Sequence, residues 1–491
     1  VNIVVEMEDG DLPPGAPLRP APLQMAEASP GRLPLPSFAS PPLASPHRGD
    51  VRVALAEGKG RVLLAARAFK PGQRLLVEQP LLEVALRASA PACALLLEMS
   101  DSWEAPLQYP PLFYWAALCT LTAEEVAGAR CEAWPHIAVE SQQLALELYL
   151  PEADPAASMP EGVQAVTEAL WPPGAGPGAE KLQRLLQVWL FNSFNASDDS
   201  ANGAFGAAVL LLTASMCSHS CFPNAAWHLE GGGVFALRAS TVIEPGEEVT
   251  IPYLGPGELC LPTPDRRQRL LAAKDFVCGC QRCTAALDDV RVFCCPHCGG
   301  EAFAAPWASC IGGVAASADK GGTLAAGVAA CLAGAIVELC SPSDSDEAAI
   351  VCSAGCGALG PSEAAALLTP EADLAPLLRP HAQVLLGGDR AESVSRVTAC
   401  SSLEAIGGAL PLLWRALAAG LADNHWVVDA LRAAAQEEEP EQRLSLLRKR
   451  VAAREGQLRL RPSGHIDAKL ARLRLAWGEA LLRQGEGEKA G

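Results

Sequence analysis

Apolar and polar positions change period several times along this 491-residue chain, and each change marks a different element. Val51-Arg52-Val53-Ala54-Leu55 reads as an alternating strand and Glu57-Gly58-Lys59-Gly60-Arg61 as a turn whose glycines allow positive φ. A second strand is expected from Arg61 to Ala66 and, after Pro71-Gly72, a third from Leu75 to Val77. Between residues 88 and 190 the pattern turns helical over Leu112–Leu121, Ser141–Leu150 and Lys181–Phe191, broken by Pro/Gly stretches such as Trp171–Gly178. An apolar run to Leu212 and a polar strand ending at Tyr253 follow. Residues 362–488 read as helices, with Leu470, Leu473, Ala476, Trp477, Ala480 and Leu481 on one apolar stripe. Ahead of all this, residues 1–50 hold 11 of the 40 prolines without a period, so a disordered leader is expected there.

The length suits two or three domains with a sizeable core. A net charge of −18 repels nucleic-acid phosphates and attracts basic peptides, so no direct nucleic-acid binding is expected. The arginines and lysines clustered between Arg443 and Arg461 lack interleaved aromatics and are expected to be solvated helix faces. The uncharged run between Lys320 and Glu338 is rich in Ala and Gly and falls short of the roughly 20 apolar residues a bilayer needs. No membrane segment is expected. The chain opens at Val1 rather than Met, without a charged-then-apolar leader, and its true beginning is expected to lie upstream.

The 18 cysteines carry the chemistry. Cys278-Gly279-Cys280-Gln281-Arg282-Cys283 has the C-x-C-x-x-C spacing that fills three corners of a tetrahedral metal site and leaves the fourth to another element, for which Cys221 is the natural candidate. Two further knuckle-like pairs, Cys295/Cys298 and Cys352/Cys356, predict a second site in a ribbon, with Cys294 or His297 as alternative ligands. Thiolate sites persist in reducing surroundings, so cytoplasm, nucleus or both is the expected location. The sequon Asn195-Ala196-Ser197 has no role there.

Ser215-Met216-Cys217-Ser218-His219-Ser220-Cys221-Phe222-Pro223-Asn224, then Pro245-Gly246-Glu247-Glu248-Val249-Thr250-Ile251-Pro252-Tyr253, then the cysteine loop resemble the signatures of the SET-domain protein lysine methyltransferases. The resemblance covers roughly residues 50 to 300 and is nearest to the branch that carries a MYND zinc finger. Cys93, Cys119 and Cys131 are too few and too far apart for that finger, so it is expected to be absent. The resemblance implies an α+β fold of small sheets, in which the segment ending at Tyr253 passes beneath the loop carrying His219. It also implies a zinc-binding post-SET region and a helical, tetratricopeptide-like C-terminal domain. The implied layout is a leader at 1–50, SET pieces at 51–87 and 191–257 around a helical insertion at 88–190, zinc regions at 258–360 and helices at 361–491.

By the same resemblance the reaction is methyl transfer from S-adenosylmethionine to a lysine of a protein substrate. Tyr253 is then the catalytic residue that orients the amine. Gly58, Lys59, Gly60, Asn192, Ser218, His219, Tyr253 and Phe276 would hold the cofactor, and Zn2+ would sit on Cys221, Cys278, Cys280 and Cys283 and on Cys295, Cys298, Cys352 and Cys356. A monomer is expected. Ser218 replaces the family's cofactor-binding Asn, and Lys274 stands where the nearest branch has a second channel Tyr, which opens the channel or alters how many methyls are added. These departures favour the alternative, a catalytically silent, zinc-containing scaffold of the same fold. Asn192 read without the resemblance is equally an Asn ending a helix.

Overall fold

β1 (Val51–Ala56) and β2 (Gly60–Ala65) pair antiparallel across the predicted turn, with Gly58 at φ 72° and Gly60 at φ 76°. In this computed structural model the described residues are 49–101, 107–131, 134–151, 158–196, 206–230, 233–306, 350–381, 385–386, 403, 408–438, 442–458 and 468–490. The expected leader, the uncharged run at 320–338, Ser197 of the sequon and the final arginines of the basic cluster lie outside them.

Val62, Leu63, Leu64 and Ala65 are all buried, because β2 is covered on more sides than a hairpin strand alone would be. Its free edge takes hydrogen bonds from a later segment: Ala65 N–H donates to Glu247 O (2.9 Å), and Gly246 N–H and Val249 N–H donate to Ala65 O and Leu63 O (2.8 Å each). Beyond that segment, β7 (Ser218–His219) runs parallel to β10 (Thr250–Ile251), with Ser218 opposite Thr250 and His219 opposite Ile251. The stretch leading to Tyr253 is therefore flanked by the first hairpin and by the strand carrying His219, the close passage that the resemblance implies.

Two three-stranded antiparallel sheets complete the β part. β3 (Arg74–Glu78), β8 (Ala225–Glu230) and β9 (Val234–Ala239) stand in the order β3-β9-β8. β4 (Leu82–Ala85), β5 (Ser193–Asn195) and β6 (Ala207–Leu210) stand in the order β4-β6-β5. Between β4 and β5 come α1 (Pro91–Asp101), α2 (Pro111–Cys119), α3 (Ala123–Val126), α4 (Val139–Leu146), α5 (Glu161–Leu170) and α6 (Ala179–Asn192). This insertion shares the strands' core: Trp115 and Trp189 pack in the cluster that holds Leu63, Phe235 and Ile251. Their indole N–H groups donate to Ala85 O (3.1 Å) and Thr120 Oγ1 (2.8 Å), so the buried rings leave no donor unpaired.

α7 (Thr263–Lys274) leads to a ribbon of β11 (Val292–Cys294), β12 (Glu301–Ala304), β13 (Ile350–Cys352) and β14 (Gly357–Ala358), antiparallel in that order. The C-terminal helices are α8 (Pro361–Leu378), α9 (Ala409–Ala418), α10 (Trp426–Glu438), α11 (Arg443–Leu458) and α12 (Ala468–Ala490). Ribbon and helices share one core, in which Phe293 and Ile350 meet Leu374, Trp426 and Leu431. Leu473 of the predicted stripe is buried against Leu447 and Val451, whereas Leu481 is 47 % exposed and lies off the packed stretch. The expectation of solvated basic faces holds for Arg448 and Lys449, which are exposed, and is corrected for two of their neighbours. Arg450 and Arg454 are buried, and Arg450 Nε reaches Asp429 Oδ1 (2.7 Å), since a buried carboxylate requires a cation. Among the described residues no helix is long and apolar enough to cross a membrane.

Candidate active site and two cysteine groups

The parallel pair β7–β10 places the end of one segment against the ring of the other. Tyr253 N–H donates to His219 Nδ1 (2.9 Å), and His219 Nε2 lies 3.3 Å from Cys221 Sγ. Because Nδ1 accepts, Nε2 carries the hydrogen and donates to sulfur. Burial lowers the His219 pKa to about 4, so the ring stays neutral at physiological pH. Tyr253 Oη donates to Cys217 O (2.6 Å), and burial raises the phenol well above its ordinary range. The residue as a whole keeps 37 % exposure, although its hydroxyl is buried on Cys217 O.

Phe276 completes a cup of three rings. Centroids are 5.3 Å apart for His219 and Tyr253, 6.1 Å for His219 and Phe276, and 6.3 Å for Tyr253 and Phe276, the last pair nearly perpendicular at 88°. Lys274 borders the cup with Nζ 5.9 Å from the Tyr253 centroid. Its ammonium donates to Leu190 O (2.8 Å) and Phe191 O (3.2 Å), carbonyls that the end of α6 leaves without helical partners. Burial lowers the Lys274 pKa to about 8.

The other expected cofactor residues fall into three situations. Ser218 stands beside Thr250 in the parallel pair. The glycine turn reaches the same segment through Lys59, whose Nζ donates to Glu248 Oε2 (2.7 Å). Asn192, the last residue of α6, is buried with its amide committed: Nδ2 donates to Tyr149 O (2.8 Å) and Val188 O (2.9 Å), and Oδ1 accepts Tyr149 N–H (3.2 Å). In this geometry the side chain closes the helix end, as the reading without the resemblance has it.

Two residues that the sequence reading passed over hold the site together. Asn224 ties the signature loop to β10: Nδ2 donates to Glu247 Oε1 (3.1 Å) and Glu248 O (2.8 Å), and Oδ1 accepts Thr250 N–H (2.8 Å). Glu78 is buried and accepts the N–H groups of Leu212, Thr213 and Ala214 at 2.8 Å each, fixing the turn into the signature. Burial raises its pKa while those three donors oppose the rise. The Asn in Phe222-Pro223-Asn224 and an acidic residue ending an apolar strand were the available signals.

Cys221, Cys278, Cys280 and Cys283 bring four sulfurs within 4.8 Å of one another, as do Cys295, Cys298, Cys352 and Cys356, so each group could hold a metal ion. Cys221 lies 3.5 Å from Cys283 and 4.0 Å from Cys278, and Cys298 lies 3.6 Å from Cys352. A tetrahedron with metal–sulfur bonds of about 2.3 Å has edges of about 3.8 Å, which these separations bracket. Cations surround the first group: Arg266 Nη2 approaches Cys283 Sγ (3.7 Å), and Arg267 donates to Cys278 O (3.0 Å) and Cys283 O (3.1 Å). Cys294 and His297 belong to neither group, and His297 Nε2 instead lies 3.3 Å from Glu363. Cys93, Cys119 and Cys131 also stand apart from both, among the described residues.

This combination of small sheets, parallel crossing and cysteine loop defines a class, and the family model described as "SET domain" matches residues 60–254. Among curated proteins, the zebrafish (Danio rerio) "Protein-lysine N-trimethyltransferase SMYD5" is 38 % identical over 84 residues, 16 % of this chain and 20 % of that protein. The human (Homo sapiens) "N-lysine methyltransferase SMYD2" is 38 % identical over 93 residues, 19 % of this chain and 20 % of that protein. The chain thus spans about a fifth of the length of these relatives. A solved structure, "Crystal structure of the SET domain of LSMT bound to Lysine and AdoHcy", aligns with 87 % of this chain and 91 % of its own at 13 % identity and a TM-score of 0.26.

Proposed function

We propose that the chain transfers a methyl group from S-adenosylmethionine to a lysine side chain of a protein. The observation that carries this reading is Tyr253, partly exposed, its amide held by His219 and its hydroxyl donating to Cys217 O beside Phe276. Such a transfer needs donor, methyl and a neutral acceptor amine in line, so the protein's work is mostly positioning and desolvation. The cofactor supplies an activated methyl group. Ser218, His219, Phe276 and the Gly58-Lys59-Gly60 turn would hold it, with Asn192 acting through the end of α6. The Tyr253 ring orients the entering amine, and its hydroxyl, fixed on Cys217 O, keeps a lone pair for polarised methyl C–H groups.

Each four-cysteine group takes one structural Zn2+, with no open position for catalysis. The first ion ties the signature loop at Cys221 to the loop carrying Phe276, and the second clamps the ribbon. A charge of −18 favours basic protein segments as acceptors, and cysteine metal sites, which persist under reducing conditions, support a cytoplasmic or nuclear location. The committed Asn192 amide favours a second reading, a scaffold that has lost catalysis. Screening basic peptides and whole histones with labelled cofactor, against Tyr253→Phe as control, separates the two. Label that depends on Tyr253 supports methyl transfer, whereas a chain that binds no cofactor and labels nothing supports the scaffold.

A further inference from the structure

Lys274 is the feature of the cup that methyl transfer does not explain. An aromatic wall attracts alkylammonium groups, whereas an ammonium beside the same rings repels them. This one is fixed: two carbonyls at the end of α6 hold Nζ, where the helix dipole favours positive charge. Asp275 follows at φ 58° in the left-handed region, which Asp tolerates better than most side chains, and ends α7 there. Lys274 and Phe276 flank this turn. Among the described residues no carboxylate forms an ion pair with Lys274, and its hydrogen-bond partners are the two backbone carbonyls. Burial moves its pKa to about 8 and leaves it mostly protonated at neutral pH.

Transfer breaks the carbon–sulfur bond, whose electron pair stays on sulfur, and forms a carbon–nitrogen bond from the amine lone pair. The positive charge thus passes from sulfonium to acceptor nitrogen, which must shed a proton to water before a second round. We propose that Lys274 is a specificity-determining wall of the acceptor cup: its fixed cation expels the newly charged methylammonium after one transfer, so the chain makes monomethyllysine. This rests on the methyl-transfer reading. It extends that reading to the number of methyl groups and to the order of steps, with release after each transfer.

The test compares the wild type with Lys274→Met, which is neutral and of similar length, and Lys274→Arg, which keeps the charge. Two readouts are taken: the methyl count on lysine-containing basic peptides by mass spectrometry, and calorimetric affinities for S-adenosylmethionine and for uncharged S-adenosylhomocysteine. Wild type and Lys274→Arg should give monomethyl product. Lys274→Met should raise the ratio of di- to monomethyl product at least tenfold and shift relative affinity several-fold toward the sulfonium. Unchanged methyl count and unchanged affinity ratio in Lys274→Met, with its melting curve intact, would overturn the proposal. If cofactor binds but none of the three proteins transfers a methyl, methyl transfer itself fails, and the affinity ratio still decides whether Lys274 acts by charge. No cofactor binding by any of them overturns both.

Discussion

Replacing Asn224 by Ala should loosen the crossing on which the site depends. The side chain contributes two donor bonds, to Glu247 Oε1 and Glu248 O, and accepts Thr250 N–H. Thr250 Oγ1 keeps one partner in the mutant, because the Asn224 backbone N–H still donates to it (3.1 Å). Glu248 O and Thr250 N–H do not, and each buried group left unpaired costs about 1–3 kcal/mol. Both lie beside partly solvated residues, so the expected loss is about 2–4 kcal/mol. Urea unfolding followed by tryptophan fluorescence reads it, since Trp115 and Trp189 share the core of β2 and β10. Asn224→Asp is the informative companion. It keeps the acceptor for Thr250 N–H, loses both donor bonds and sets a carboxylate against Glu247. Relative to wild type at the same pH it should be worst near neutrality and recover toward pH 4, where a protonated Asp can donate again. A loss below about 0.5 kcal/mol in Asn224→Ala, or an Asp variant with no pH dependence of its own, would refute this account of how the two segments are joined.

Tyr253→Phe removes the hydroxyl that binds Cys217 O and should lower turnover at least tenfold while cofactor affinity and melting temperature change little; unchanged turnover on a verified substrate removes Tyr253 from the reaction. Elemental analysis should find about two zinc ions per chain, falling to one in both Cys221→Ser and Cys298→Ser, with cofactor affinity weakened only in the former. Acid should weaken the C-terminal unit in two stages. Burial holds His425 neutral with a pKa of about 4, so the unfolded chain binds the extra proton first and stability falls as pH drops from about 6.5 toward 4. Burial would raise the pKa of Glu371, but Arg291 and Trp426 Nε1 hold it down at about 2, so its contribution is present above about pH 4.5 and is lost as pH falls toward 2. Glu371→Gln should abolish the second stage of the unfolding profile and keep the first.

The early hairpin, the helical insertion and both cysteine groups were legible because period and spacing report local geometry: Cys221 was placed with Cys278, Cys280 and Cys283 across 57 residues because a tetrahedral ion needs a fourth thiolate. The union of ribbon and C-terminal helices in one core was not legible. It rests on Arg291, whose guanidinium donates to Glu371 at 2.6 Å across a separation of 80 residues, and no periodicity records such a pairing. Arg450 misled for the same reason, since charge alone reads as surface until its buried partner Asp429 is known. At the site, Tyr253, His219 and Phe276 do converge as the motif order implies. Whether the Asn192 amide was free depended on Tyr149, which stands 43 residues away and offers its backbone, something every residue has and no sequence signals.

Calorimetric titration of S-adenosylmethionine into the zinc-loaded full chain tests the central claim most directly. The account predicts saturable binding of one cofactor per chain, weakened in Cys221→Ser, where the loop carrying His219 loses its metal tie. Absence of binding to a folded chain that holds its zinc would contradict it.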